Sequence, residues 1–327
     1  MEEKLLSIVL PTYNRGYMME YTLGIITEQV ERNAEQVEFI VCDNASTDDT
    51  KTVVSDFAKN HNCVRFIHYD EFVEIGKSIT RSIGNAIGKY ILLWGDDDIP
   101  DPYLVDIILF YIQKYNGLGV IHFNGIFGTD QDDFALKDLA VMNSNFYRTA
   151  IVEDSQVFAE RHYYDIGRLS SDVFLRSVWE DGIKYDTSSH YGYEFVVPIL
   201  VGAKGKECLY INYPLWLHRQ PLDRSWQSKA PKFMYIGMPN ILKDLEKEGI
   251  IKDWKHLWSV HLKQYTKHFY FVIPQVLLDK KSYYPLLKDL KAYQPSFIRR
   301  RYIDFCFYCV PPAFYKFLRR RRYRNHK

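Results

Sequence analysis

Three consecutive aspartates, Asp96, Asp97 and Asp98, follow the apolar run Tyr90–Trp94 with only Gly95 between them. Adjacent like charges destabilise one another, so such a triplet is costly for stability alone. Carboxylate oxygens are the ligands that Mg²⁺ and Mn²⁺ prefer, usually one or two of them alongside phosphate and water. A cation held there would act as a Lewis acid on phosphoryl oxygens. The competing reading is an Asx-turn or a helix cap ahead of Pro100-Asp101-Pro102.

Two further polar segments follow apolar runs in the same way: Pro11-Thr12-Tyr13-Asn14-Arg15 and Asp43-Asn44-Ala45-Ser46-Thr47-Asp48. The runs themselves are Leu5–Leu10, Val37–Cys42, Val64–Tyr69 and Tyr90–Trp94. Their unbroken apolar, β-branched character suits strands buried on both faces of a parallel sheet. Tyr17–Val30, Thr50–Asn60 and Gly76–Gly88 lie between them and are long enough for crossover helices. The alternation predicts an α/β fold with right-handed crossovers. Ligands of such sheets bind beyond the carboxyl ends of the strands, where the polar segments gather.

Later strands are expected at Val120–Asn124, Cys208–Asn212 and Leu215–His218, and the aperiodic stretch between Gly125 and Glu207 reads as an acceptor-binding region. From about Ala230 the pattern turns helical. The expected organisation is a larger domain over 1–228, in two halves at 1–115 and 116–228. A helical module over 229–327 follows it, ending in a basic aromatic tail at 297–327.

Composition narrows the partners. The chain has 47% hydrophobic, 25% charged and 16% aromatic residues, as a globular protein has. Its net charge of +1 conceals ten Lys/Arg against one acid from Arg299 to Lys327, so the rest of the chain is acidic. That is not the footprint of a nucleic-acid binder, whose basic surface belongs on the folded domain. Rings between arginines, broken by Pro311-Pro312, suit a segment lying in the headgroup plane of an anionic membrane; the alternative is a docked helix with a solvated basic end. Five scattered cysteines imply no disulfide framework, and Cys306-Phe-Tyr-Cys309 has no second pair to complete a zinc site. With no signal peptide and no apolar run of ~18–20 residues, the expected location is the cytoplasm, peripheral on the inner face of the cell membrane.

The segments SIVLPTYNR, FIVCDNASTDDT and GKSITRSIGNAIGKYILLWGDDDIPDPYL, in this order, resemble the family 2 glycosyltransferases of GT-A fold. The resemblance covers about the first 115 residues. The GDDD form and the segment HRQPLDRSW are similar to enzymes of bacterial O-antigen and capsule assembly, including abequosyltransferase-like members.

The resemblance implies a fold: Rossmann-like, mainly parallel α/β of GT-A type with a C-terminal helical module. It also implies an inverting, metal-dependent transfer of a sugar from a nucleotide-sugar donor to a lipid-linked glycan. The family motif reads Asp-x-Asp-Asp, and aligning its last two acids puts Gly95 where its first Asp stands. In that register Asp97 binds the metal, Asp98 supports it, and Asp96 lies near the donor ribose. Thr12, Tyr13, Asn14 and Arg15 match the base-binding segment, and Asp43 the contact to the nucleobase, which favours a UDP-sugar. Arg81 matches a position facing the nucleotide. The base that deprotonates the acceptor falls at Glu194, with Asp186 and Asp181 as alternatives. His218, ending LWLH, is a candidate third metal ligand or diphosphate contact, or else a hydrogen-bonded, partly buried histidine. Arg224, Ser225 and Trp226 resemble a loop that closes over the donor. A nucleotidyltransferase and a catalytically silent nucleotide-sugar-binding subunit remain as alternatives.

Overall fold

The structure is a computed structural model and describes residues 4–127, 140–141, 150–218, 228–264, 269–270 and 272–317. The chain divides into two units: one of 1–187 with 194–222, the other of 188–193 with 223–327.

In the first unit the four apolar runs become β1 (Leu6–Thr12), β2 (Val37–Asp43), β3 (Val64–His68) and β4 (Tyr90–Leu93). They pair in parallel in the order β3-β2-β1-β4. Leu6, Ile8, Val9, Leu10, Phe39, Ile40, Val41, Ile91 and Leu92 are almost wholly enclosed, which their continuous apolar runs demand. The crossovers are α1 (Gly16–Arg32), α2 (Thr50–Asn60) and α3 (Ile75–Ile83). α3 stops earlier than the expected Gly88, because the chain turns into β4 there and Gly88 lies where a Cβ would meet Ser7 N at 2.6 Å.

Beyond β4 come β5 (Asp98–Pro100), α4 (Leu104–Lys114), β6 (Val120–Phe127), β7 (Ala140–Val141), β8 (Ala150–Asp154) and α5 (Ser155–His162). Then follow β9 (Asp172–Leu175), α6 (Arg176–Gly182), α7 (Val196–Gly202) and β10 (Glu207–His218). The sheet continues β4-β9-β6-β10-β5, with β9 antiparallel to both of its neighbours and β6 parallel to β10. The sheet is therefore mixed, parallel through β3-β2-β1-β4 and largely antiparallel beyond.

One expectation needs correction. Cys208–Asn212 and Leu215–His218 are not two strands but the two ends of β10. The register along β6 shifts between Ile211 and Pro214 and again between Pro214 and Leu217. Pro214 has no N–H to give to the ladder, so the strand bulges there instead of ending.

The second unit is helical. The helix Met238–Lys247 buries Met238, Ile241, Leu242 and Leu245 and places Asp244 Oδ2 2.7 Å from His190 Nε2. The tail is only partly the surface segment expected. Ile303, Cys306 and Phe307 are buried in this unit. Arg299 is buried too; it donates to Leu262 O at 2.8 Å and lies over the Phe269 ring. A guanidinium so engaged is a packing element and not a headgroup ligand. The helix Phe297–Asp304, a wider turn Phe305–Cys309 and a helical stretch at 312–317 follow one another, and residues 318–327 lie outside the described residues. No helix among the described residues is long and apolar enough to cross a membrane.

Candidate active site

The aspartate triplet occupies the turn from β4 into β5. Gly95 N donates to Ser170 Oγ at 2.7 Å, Asp98 N donates back to Gly95 O at 3.3 Å, and Trp94 Nε1 donates to Asp98 O at 3.2 Å. β5 then pairs antiparallel with the end of β10, bringing His218 opposite Asp98. His218 Nδ1 lies 2.9 Å from Asp98 Oδ1. One donor atom each from Asp97, Asp98 and His218 falls within 4.8 Å of the other two. The structure thus joins residues 120 positions apart in the chain, as the metal reading of His218 requires.

Charge at this turn is poorly compensated. The Asp97 carboxyl is pushed up to about 7 by its protein surroundings first and then by the charges of Asp98 and Asp96. Burial alone would lower the His218 pKa, but the hydrogen bond and charge of Asp98, together with Asp97, bring a net rise. Two carboxylates and an imidazole with surplus negative charge fit an oxygen-preferring divalent cation. Asp97, Asp98 and His218 would hold it. Since the ligands must be deprotonated, Mn²⁺ affinity should fall as pH drops below ~7, by up to about tenfold per pH unit for each proton displaced from Asp97 and His218. Calorimetric titrations across pH 6–8.5 check this.

Gly95 has a structural reason to stand where the family motif has an acid. A Cβ there would lie 2.9 Å from Asp98 Oδ2, 3.2 Å from Asp97 Oδ1 and 3.3 Å from Ser170 Oγ. Gly95→Ala should therefore push the two carboxylates apart. A loss of Mn²⁺ affinity of about tenfold, or ~1.4 kcal/mol, is expected by calorimetry, with an unchanged far-ultraviolet circular dichroism spectrum.

Asp96 faces the first loop. Its Oδ2 accepts from Thr12 Oγ1 at 2.8 Å, its Oδ1 lies 3.7 Å from Arg15 Nε, and its backbone O accepts from Thr22 Oγ1 at 3.2 Å. Thr12, Arg15 and Asp96 therefore form one group. Asn14 adopts φ 54°, a left-handed conformation that asparagine tolerates. Its Oδ1 accepts from Thr47 N at 2.7 Å, and its own N–H donates to Ser46 Oγ at 2.8 Å, locking the loops after β1 and β2 together.

Asp43 is enclosed at the end of β2, with Oδ1 accepting from Ser46 N and Oγ and Oδ2 facing His68 Nδ1 at 2.8 Å. Its neighbour Asn44 exchanges two hydrogen bonds with Val73 and accepts from Arg81 Nη2. The Arg81 guanidinium also donates to Glu71 O at 3.1 Å and stacks over the Tyr69 ring at 3.7 Å. Arg81 thus reaches the strand ends but is engaged in ordering the 71–74 loop. Tyr13, 38% exposed, meets Phe72 at a centroid distance of 4.8 Å. A half-exposed ring pair beside these loops offers apolar faces to a planar ligand.

Glu194 precedes α7 after a turn in which Tyr191 and Gly192 have φ 52° and 102°. Two glycines bring α6 and α7 into backbone contact: a Cβ on Gly182 would meet Pro198 O, and one on Gly202 would meet Val178 O, each at 1.9 Å. That packing carries the Glu194 carboxylate to the first turn of α3, where a Cβ on Gly76 would lie 1.9 Å from its Oε2. Asp186 and Asp181 are exposed on the segment before it. Arg224, Ser225 and Trp226 lie outside the described residues.

Ser170, His68 and Thr22 were not singled out in the sequence, though Ser170 holds the Gly95 backbone, His68 the Asp43 carboxylate and Thr22 the Asp96 carbonyl. Ser170 sits in an aperiodic stretch with φ 52°, His68 inside a strand, and Thr22 inside a helix, where a hydroxyl normally marks nothing.

The model of Glycosyl transferase family 2 matches residues 7–166. An abequosyltransferase of Salmonella typhimurium is 27% identical over 243 residues, covering 69% of each chain. A GalNAc(5)-diNAcBac-PP-undecaprenol β-1,3-glucosyltransferase of Campylobacter jejuni is 24% identical over 269 residues, covering 79% of this chain and 80% of its own. Among solved structures, S. aureus TarS 1-349 in complex with UDP-GlcNAc superposes with a TM-score of 0.64 at 15% identity, covering 97% of this chain and 92% of that one. That last likeness is one of fold, and the fold is GT-A. Together with the ordered motifs at the strand ends, these likenesses make the chain similar to glycosyl transferase family 2, most clearly over residues 7–166.

Proposed function

We propose that the protein transfers a sugar, with inversion, from a nucleotide-sugar donor to a lipid-linked glycan in the assembly of a bacterial surface polysaccharide. The observation that carries this reading is the meeting of Asp97, Asp98 and His218 within 4.8 Å, with neighbouring Asp96 held by Thr12 and Arg15. A divalent cation bound by the three would neutralise the diphosphate as it leaves.

The remaining work falls to side chains of the chain itself. Thr12 and Arg15 fix the Asp96 carboxylate, which can accept from a ribose hydroxyl. The Tyr13–Phe72 pair offers the nucleobase an apolar face. Arg81, by ordering the loop that bears Phe72, acts on the base through that loop. Asp43 is enclosed with both oxygens engaged by Ser46 and His68, so its part in the donor site is to hold the base-binding loop. The TarS complex with UDP-GlcNAc supports a UDP-sugar as donor. Glu194 takes the proton of the acceptor hydroxyl; that oxygen bonds to C1 as the C1–O bond to the diphosphate breaks on the opposite face. Asp186, exposed on the segment before Glu194, is the weaker candidate for that role.

The Salmonella and Campylobacter relatives support a glycan acceptor, and the second of them, by its name, a lipid-linked one. Phe297, Ile298, Phe305, Tyr308, Phe314 and Phe317 are each more than half exposed, and Arg300 and Arg301 are exposed among them. Rings interleaved with arginines suit a peripheral seat on an anionic, cytoplasmic membrane face. Phe305→Ser with Tyr308→Ser removes two rings without touching buried Ile303 or Phe307. It should weaken co-sedimentation with vesicles containing phosphatidylglycerol about tenfold or more; unchanged binding rejects the membrane seat. The transfer itself is tested by incubating the protein with Mn²⁺ and a panel of nucleotide sugars and following nucleotide release. Metal-dependent release from one donor supports the proposal, and nucleotide binding without release from any donor or acceptor contradicts it.

A further inference from the structure

A second cluster of ligating side chains lies inside the first unit, apart from the aspartate turn. His122 on β6, His162 at the end of α5 and Asp165 in the following turn each place one donor atom within 4.8 Å of the other two. His122 is fully enclosed and His162 is 4% exposed. Each histidine keeps one buried ring nitrogen without a hydrogen-bond partner, Nε2 of His122 and Nδ1 of His162. A buried polar atom left unpaired is destabilising, and two within one cluster call for a ligand.

The far side of each ring is backed by a carboxylate. His122 Nδ1 lies 2.7 Å from Asp172 Oδ1, and His162 Nε2 faces Glu153 Oε2 at 3.7 Å. Glu153 is held in turn by Arg161 through its other oxygen. Carboxylates behind ligating imidazoles fix the tautomer that presents a lone pair to a metal. The rings are also held in place: His162 stacks on Tyr210 at 4.5 Å and lies 5.2 Å from His122. Asp165 Oδ1 is 3.7 Å from Arg168 Nε, so one of its carboxylate oxygens carries that ion pair and the other remains for a ligand.

We propose that His122, His162 and Asp165 bind a divalent transition-metal ion of the Zn²⁺ class, as a structural site separate from the one at Asp97. Two imidazoles and one carboxylate suit borderline-soft ions, with water as a fourth ligand, whereas the two carboxylates and single imidazole of the aspartate turn suit Mn²⁺ or Mg²⁺. Burial pushes the His122 imidazole down to about 4 and lowers that of His162, so both are in the neutral, ligating form. The same burial raises the Asp172 carboxyl, and a cation on His122 Nε2 favours an ionised Asp172 accepting the Nδ1–H. The site would tie β6, α5 and the turn at Asp165 together. Asp172, which backs it, opens β9 two residues after Ser170, the partner of Gly95 N. The bound ion would thereby stiffen the segment that supports the aspartate turn.

The test uses Asp97→Asn protein, so that the aspartate site is weakened. After removal of metals with a chelator, Zn²⁺ is titrated against a chromophoric competitor. One equivalent should bind, and the melting temperature should rise by about 5 °C. Added in its place, Co²⁺ should give the visible absorption of a four-coordinate ion. Asp165→Asn, an isosteric change on a partly exposed turn, should weaken Zn²⁺ about a hundredfold, as should His162→Gln. If the histidine variant does not fold, X-ray absorption at the zinc edge of the Asp97→Asn protein should show two imidazoles. No bound equivalent in Asp97→Asn protein, undiminished affinity in Asp165→Asn, or a zinc edge without imidazole scattering would each overturn the proposal.

Discussion

Asp97→Ala is expected to lower sugar transfer by about a thousandfold or more, near 4 kcal/mol of transition-state stabilisation, while the protein stays folded. The surroundings of Asp97 resist its ionisation, with its carboxyl pushed up to about 7 by burial and by the charges of Asp98 and Asp96. A bound cation would stabilise a carboxylate so placed. The sign of the pH dependence follows. The folded-state pKa lies above the unfolded value, so the folded protein holds the extra proton between about pH 4 and 7. Metal-free wild type should therefore lose stability as pH rises through that window, and Asp97→Ala should not. Thermal melts in chelator at pH 5 and 8 measure the difference. A variant that melts far below wild type at pH 8 in chelator would show that Asp97 is a structural cap after all.

Glu194→Gln should be the second large effect. A general base contributes roughly 10²–10⁴ to the rate, so transfer should fall by about a thousandfold, while Mn²⁺-dependent binding of nucleotide stays within about twofold of wild type. The glutamine keeps the size of the side chain beside Gly76, where space is tightest. Single-turnover kinetics with a fixed donor, together with calorimetry of nucleotide and Mn²⁺, separates the two quantities. A parallel loss of nucleotide binding would mean that Glu194 orders α3 and Arg81 and does not meet the acceptor. Asp186→Asn, on the exposed segment, serves as the comparison.

The first 115 residues were readable because burial and chemistry coincide there. Strands enclosed on both faces announce themselves as runs such as Leu5–Leu10, and the polar residues that end them belong to the loops where ligands bind. α2 was legible to the residue, since Thr50 and Asn60 bound a clear amphipathic stretch. The second half hid its order for equally physical reasons. β9 is only four residues long and antiparallel, so it has neither the length nor the neighbours that give a run its signature. The bulge at Pro214 made one strand read as two. Contacts that decide the site span the chain: His218 reaches Asp98 only because β10 pairs with β5, and Ser170 reaches Gly95 from an aperiodic stretch. Arg299, counted among the basic residues of the tail, turned out to be buried because its guanidinium finds Leu262 O and the Phe269 ring. Charge in a sequence shows that a residue can be solvated, and only the fold shows whether it is.

Crystals soaked with UDP and Mn²⁺, with anomalous data collected at the manganese edge, put the central claim to its most direct test. One anomalous peak is predicted within ligand distance of Asp97, Asp98 and His218, about 2.1–2.4 Å from their donor atoms, with the diphosphate of the nucleotide on its open side. A diphosphate seated in the same loops with no metal between it and these three side chains, or a manganese bound elsewhere, would contradict the account.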